Sequence, residues 1–159
     1  MKTFRTRMAW FYGLTLAAGA VGLAAVAAAP LLMARGSRAA AFLYAVFAPL
    51  CHQQPERCFS LAGFPLAVCA RCTGIYLGAF LGLIARPFLR PLTDLRPPCA
   101  AAFLAVSLPI AVDAAANLFG IWRSPGALRF ATGLIWGPIL PFYFLAGLGS
   151  LFASGAEKK

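Results

Sequence analysis

Residues 8–34 read MAWFYGLTLAAGAVGLAAVAAAPLLMA, 27 positions without a charge, behind Lys2, Arg5 and Arg7. About 20 apolar residues cross the hydrocarbon core of a bilayer, so length alone makes this stretch a transmembrane helix. The basic start and the Ala27-Ala28-Ala29 triplet also have the look of a cleaved signal segment. Pro30 and the apolar Leu31-Leu32-Met33 carry the run past that triplet, and the expectation is an uncut first span over about residues 9–33.

The rest of the chain agrees with a membrane setting. Of 159 residues 62% are hydrophobic and 11% charged, under half the share of roughly 25% usual in globular domains. Fourteen Lys and Arg against four acids give +10, but the cations are strewn between apolar runs and form no block, which argues against a nucleic-acid partner. Five cysteines are too few for a disulfide scaffold at this length. Further apolar runs cover about 73–89, 99–120 and 130–153. The predicted fold is all-α, a single integral membrane domain over residues 1–159 with four full spans, in contact with the lipid bilayer.

Between Arg35 and Arg86 the pattern is irregular. Residues 39–50 and 59–70 are uncharged but too short to cross, and they flank a polar centre at 51–58. With Pro49, Pro55 and Pro65 present, this region reads as a broken or re-entrant segment, or as a short tilted helix followed by an interfacial loop. Downstream, Gly74, Gly78 and Gly82 share one helical face and invite close helix contact, either within the chain or with a second copy as a homo-oligomer. With four spans, Lys2, Arg5, Arg7, Arg86, Arg90, Arg96, Lys158 and Lys159 fall on one side against six cations opposite. That count puts both termini in the cytoplasm and the cysteines outside; a fifth crossing would level it.

The chemistry concentrates in Cys51-His52-Gln53-Gln54-Pro55-Glu56-Arg57-Cys58 and, ten residues on, Cys69-Ala70-Arg71-Cys72-Thr73-Gly74-Ile75-Tyr76. A Cys-x-x-Cys pair can place two thiolates on one tetrahedral ion. Cys51 would add a third sulfur, with the fourth position going to Cys58, to His52 or to water. Zinc is the default occupant, while copper(I) or an iron–sulfur centre also suits sulfur-rich sites. The same thiols read alternatively as redox couples, Cys51/Cys58 and Cys69/Cys72, or as inert buried cysteines. If the chain is helical from Thr73, Cys72 lies at a helix N-terminus beside Arg71, which favours its thiolate. Cys99, alone beyond Pro98, reads as a packing residue.

Asp113 is a carboxylate inside an apolar run, four residues before Asn117. An intramembrane acid needs a cation, a proton or a cavity, and Arg123, Arg129 and Arg71 are the candidate partners. A structural salt bridge is the plain reading; a proton or substrate role is the functional one. The stretch Ser124 to Gly133 reads as a loop entering a helix, with Ser124 as N-cap, Pro125 at the first helical position and Arg129 one turn inside.

The strings Cys-His-Gln-x-Pro-Glu-Arg and Val-Cys-Ala-Arg-Cys-Thr-Gly-Ile-Tyr-Leu-Gly, an intramembrane Asp and a late Arg-x-x-Thr-Gly resemble a family of small prokaryotic membrane proteins, domain of unknown function 2085. The resemblance covers about residues 43–137, with Cys51, His52, Gln53, Arg57, Cys69, Arg71, Cys72, Thr73, Gly74, Tyr76, Asp113, Arg129, Thr132 and Gly133 at signature positions. It implies a prokaryotic cytoplasmic membrane protein and names no activity. Serine is usual in the family where Cys58 stands, and glutamine where Asn117 stands. The resemblance thus implies that Cys58 is dispensable, which favours a three-cysteine site.

The leading expectation is therefore a multi-pass membrane protein that binds a metal through Cys51, Cys69 and Cys72 with His52 or Cys58, and in which Asp113 and Arg129 form a nearby polar pair. Its rivals are a thiol-disulfide oxidoreductase working Cys69/Cys72 against a quinone, and a small transporter or lipid-handling protein with Asp113 in its pathway. Candidates for a catalytic role are Cys69, Cys72, Asp113 and Arg129. No serine triad, paired glycosidase carboxylates or nucleotide loop is visible.

Overall fold

The structure is a computed structural model that describes residues 2–156, with side-chain surroundings for 5–150. The Lys158-Lys159 tail counted for orientation lies outside the described residues. The chain runs α1 (Lys2–Ala34), α2 (Arg38–Phe47), a 3-10 turn (Pro55–Arg57), β1 (Ser60–Leu61), β2 (Phe64–Pro65), α3 (Ala70–Leu89), α4 (Ala100–Leu118), α5 (Gly126–Trp136), a second 3-10 turn (Gly137–Ile139) and α6 (Leu140–Ala156). Four stretches are long and apolar enough to cross a membrane: Arg5–Ala34, Ala70–Leu89, Ala100–Leu118 and Gly126–Ser150. The chain is thus a four-span helical bundle, the last span formed by α5 and α6 joined through the second 3-10 turn.

Several boundaries differ from the sequence expectation, each for a local reason. The apolar run 59–70 is no half-span: it holds the antiparallel β1–β2 hairpin, in which Ser60 pairs with Pro65 and Leu61 with Phe64. Ala62 and Gly63 both take positive φ, the geometry of the tight two-residue turns that match strand twist. Of the two readings of the irregular region, the short helix followed by a loop is the one observed, α2 having only ten residues. Helix α3 begins at Ala70, with Cys69 as its N-cap, and not at residue 73. Helix α5 has Pro125 as N-cap and starts at Gly126, one residue later than expected, which leaves the Ser124 side chain free for another task.

The glycine faces pack α3 on α5. Gly74, Gly78 and Gly82 are buried against Phe130, Leu134 and Pro138, while Gly133 and Gly137 answer from the other side against Arg71 and Ile75. A Cβ at Gly78 would stand 2.7 Å from the Leu134 carbonyl oxygen, and one at Gly82 2.6 Å from that of Pro138. Bare backbone is what lets these helices meet so closely. The homo-oligomer expected through Gly74, Gly78 and Gly82 is therefore overturned as regards that face, because the chain's own α5 occupies it. Around this pair, α1 is tied to α3 by the Tyr12 hydroxyl donating to the Leu83 carbonyl (2.8 Å), and α4 to α5 by Trp136 Nε1 donating to Ser107 Oγ (2.8 Å).

Candidate metal centre and its polar surroundings

Cys51 leaves the end of α2 with its N–H still donating to the Phe47 carbonyl (3.0 Å), and its side chain is buried in a cluster with Val26, Ala29, Phe47, Ala67 and Val68. The next loop is held by Gln53, whose backbone sits in the left-handed region at φ 51°. Its side-chain amide donates both to the Tyr44 carbonyl (2.7 Å) and to that of Ala67 (2.8 Å), clamping the end of α2 to the segment that delivers Cys69. A non-glycine residue held at positive φ is strained, and these two bonds stabilise it.

Cys69, as N-cap, and Cys72, in the first turn of α3, lie beside Cys51, and the three Sγ atoms are all within 4.8 Å of one another. The Cys69 N–H donates to Cys51 Sγ at 3.1 Å. Hydrogen bonding from the Cys72 thiol, aided by Cys51 and the α3 backbone, holds the Cys69 thiol well below its ordinary range, at about 5, against the opposing effect of burial. Tetrahedral zinc with sulfur ligands at about 2.3 Å would set the sulfurs roughly 3.8 Å apart, so closing round an ion asks for movements of about 1 Å at most.

His52 and Cys58 stand outside this three-sulfur group. His52 is exposed, and Cys58 Sγ donates to the Gln54 carbonyl at 3.2 Å. Burial, followed by the neighbouring sulfurs of Cys69 and Cys51, pushes the Cys58 thiol up to about 11. Cys99 is exposed as N-cap of α4 at the far end of the bundle, which corrects its reading as a packing residue.

The intramembrane acid lies close by. Asp113, 3% exposed, forms its ion pair with Arg71, the residue between the two cysteines of the Cys-x-x-Cys pair. Arg129 stands near enough for its charge to act on that of Asp113, but no ion pair joins the two among the described residues. Arg129 instead donates to the Asn117 side-chain oxygen (2.6 Å) and to the Ser124 carbonyl (3.0 Å), while Ser124 donates its hydroxyl to Asp113. Asn117 completes the network by donating to Ser124 Oγ at 2.6 Å and accepting from the Ser124 N–H at 3.1 Å. Arg123 is exposed. The sequence marks Ser124 only as a helix cap. Its i+11 relation to Asp113 falls across a helix end and a loop, and no periodic signal reports it.

The family described as "Predicted membrane protein (DUF2085)" matches residues 51–143, a stretch holding every residue of this network. An uncharacterized protein of Methanocaldococcus jannaschii is 44% identical over 103 residues, which cover 65% of this chain and 66% of that protein. An uncharacterized protein of Methanothermobacter thermautotrophicus is 43% identical over 88 residues, 55% of this chain and 78% of its own. No solved structure matches.

Proposed function

The chain belongs to the membrane protein family DUF2085, and from that premise we propose that it binds a metal ion, zinc first, through Cys51, Cys69 and Cys72. The observation that carries this reading is the meeting of three sulfurs from two separate segments within 4.8 Å of one another. Three protein sulfurs leave one tetrahedral position for water or a further ligand. His52 or Cys58 would have to move to take it. Copper(I) fits the same soft donors. Thiol-disulfide exchange by Cys69/Cys72 with a quinone draws on the same depressed Cys69 thiol but gives Cys51 no part. The metal reading uses all three sulfurs. By the balance of Lys and Arg, the termini are cytoplasmic and this centre faces outward.

The test is elemental mass spectrometry on protein purified anaerobically in mild detergent. One equivalent of metal is expected, lost in Cys69→Ser/Cys72→Ser and kept in Cys58→Ser. Sub-stoichiometric metal that does not fall further in the double variant would overturn the proposal.

A further inference from the structure

Beside the thiols, a cavity of about 570 Å3 opens between the cysteine loop and the α4–α5 connection. Its wall carries Arg57, Arg123 and Arg129, with Glu56 as the one carboxylate, and includes Ser124 and Trp122. Three guanidiniums against a single acid make a strongly cationic hollow.

Arg129 is the decisive member. It is 7% exposed, so its charge is held in the protein at a cost that ordinarily demands an anion. Yet its partners are neutral: Nε reaches the Ser124 carbonyl and one Nη the Asn117 side-chain oxygen, and no hydrogen bond reaches the other Nη among the described residues. The nearby carboxylate of Asp113 is committed to Arg71 and Ser124. Gly126, which opens the eleven-residue helix α5, also lines the cavity. The first N–H groups of a helix point outward unpaired and carry the positive end of its dipole. A buried guanidinium whose hydrogen-bond partners are neutral and whose nearest carboxylate is paired with Arg71, two exposed ones and a helix start thus converge on one hollow.

We infer that this cavity is a binding site for a phosphate ester, the phosphate lying among Arg129, Arg57, Arg123 and the start of α5. Guanidinium forks match phosphate oxygens in pairs, and the volume leaves room for an organic substituent beside the phosphate. Trp122, 47% exposed, stands at the rim where an aromatic ring suits the membrane interface. The site shares no ligand residue with the three-sulfur centre, so it stands whether or not a metal binds there.

The experiment measures inorganic phosphate binding by calorimetry in delipidated, detergent-solubilised protein and repeats it in phosphatidylcholine nanodiscs with and without phosphatidylglycerol. The wild type should bind phosphate saturably, and Arg57→Gln/Arg123→Gln should weaken it by about tenfold or more, both side chains being exposed and replaceable without loss of fold. Circular dichroism of that variant verifies the fold. Competition by phosphatidylglycerol would mark a lipid headgroup as the source of the phosphate, and unimpeded binding a soluble ester; both support the site. Absence of phosphate binding both in detergent and in nanodiscs without phosphatidylglycerol, or equal binding by the folded double variant, would overturn it.

Discussion

The two ends of the bundle each bury an arginine, and they do so in opposite ways. At the end that holds the α3–α4 connection, Arg86 is 1% exposed and donates to the carbonyls of Arg90 and Pro91, both at 3.2 Å, and of Asp94, with its guanidinium over the Phe142 ring at 5.2 Å. Every partner belongs to one loop or is a ring face. This arrangement caps the C-terminus of α3 and fixes the path of the chain into α4. At the other end Arg71 and Arg129 are joined through a carboxylate and an amide of α4 and a hydroxyl of the α4–α5 connection, beside three sulfurs and a cationic cavity. The difference teaches that burial of a cation is not in itself a sign of function. Each end leaves one buried guanidinium nitrogen unbonded, Nε of Arg86 and Nε of Arg71; what distinguishes the second end is what stands beside its arginines, three sulfurs and a cavity lined by further guanidiniums and the start of α5.

Removing the acid should expose this contrast most strongly. Asp113→Ala strands Arg71 and Ser124 without their anion, and losing one partner of a buried pair costs about 3–5 kcal/mol. Thermal unfolding in detergent should show a loss of that order; a change below about 1 kcal/mol would mean that the network is not coupled to the fold.

A smaller effect separates the thiols within the functional end. In metal-free protein at neutral pH Cys69, near 5, is thiolate, whereas Cys58, near 11, is almost wholly protonated. The lower intrinsic nucleophilicity of the more acidic thiol offsets part of that gap, leaving Cys69 alkylated about tenfold to a hundredfold faster. Its rate should stay level above pH 5 and fall as pH drops through that value, since protonation removes the nucleophile. The Cys58 rate should climb up to about pH 11. Mass-spectrometric mapping of iodoacetamide adducts against pH checks both slopes, and equal rates at pH 7 would contradict the assignment.

Arg86→Met should matter least. Its stem can still cover Phe142, and the carbonyls it releases lie in a loop that water reaches, so a loss of about 1 kcal/mol is expected, with metal and phosphate binding unchanged. If either binding falls with Arg86, the two ends are coupled and the contrast between them fails.

What could be read in advance followed from local rules. Hydrophobic length marks the four spans, because a bilayer imposes its thickness on any segment that crosses it. The spacing of Cys69 and Cys72 and the period of Gly74, Gly78 and Gly82 are properties of one helical turn repeated. The β1–β2 hairpin was legible only in Gly63 between apolar neighbours, a weak sign that the apolar run obscured.

Contacts across the bundle were another matter. That Cys51 meets Cys69, that Asp113 chooses Arg71 across 42 residues over the nearer Arg123 and Arg129, and that the glycine seam closes on α5 and not on a second copy were decided by tertiary packing. Composition and period establish which faces seek partners in lipid; which partner each face finds depends on helix order, tilt and loop path, and these are energies of the whole assembled bundle.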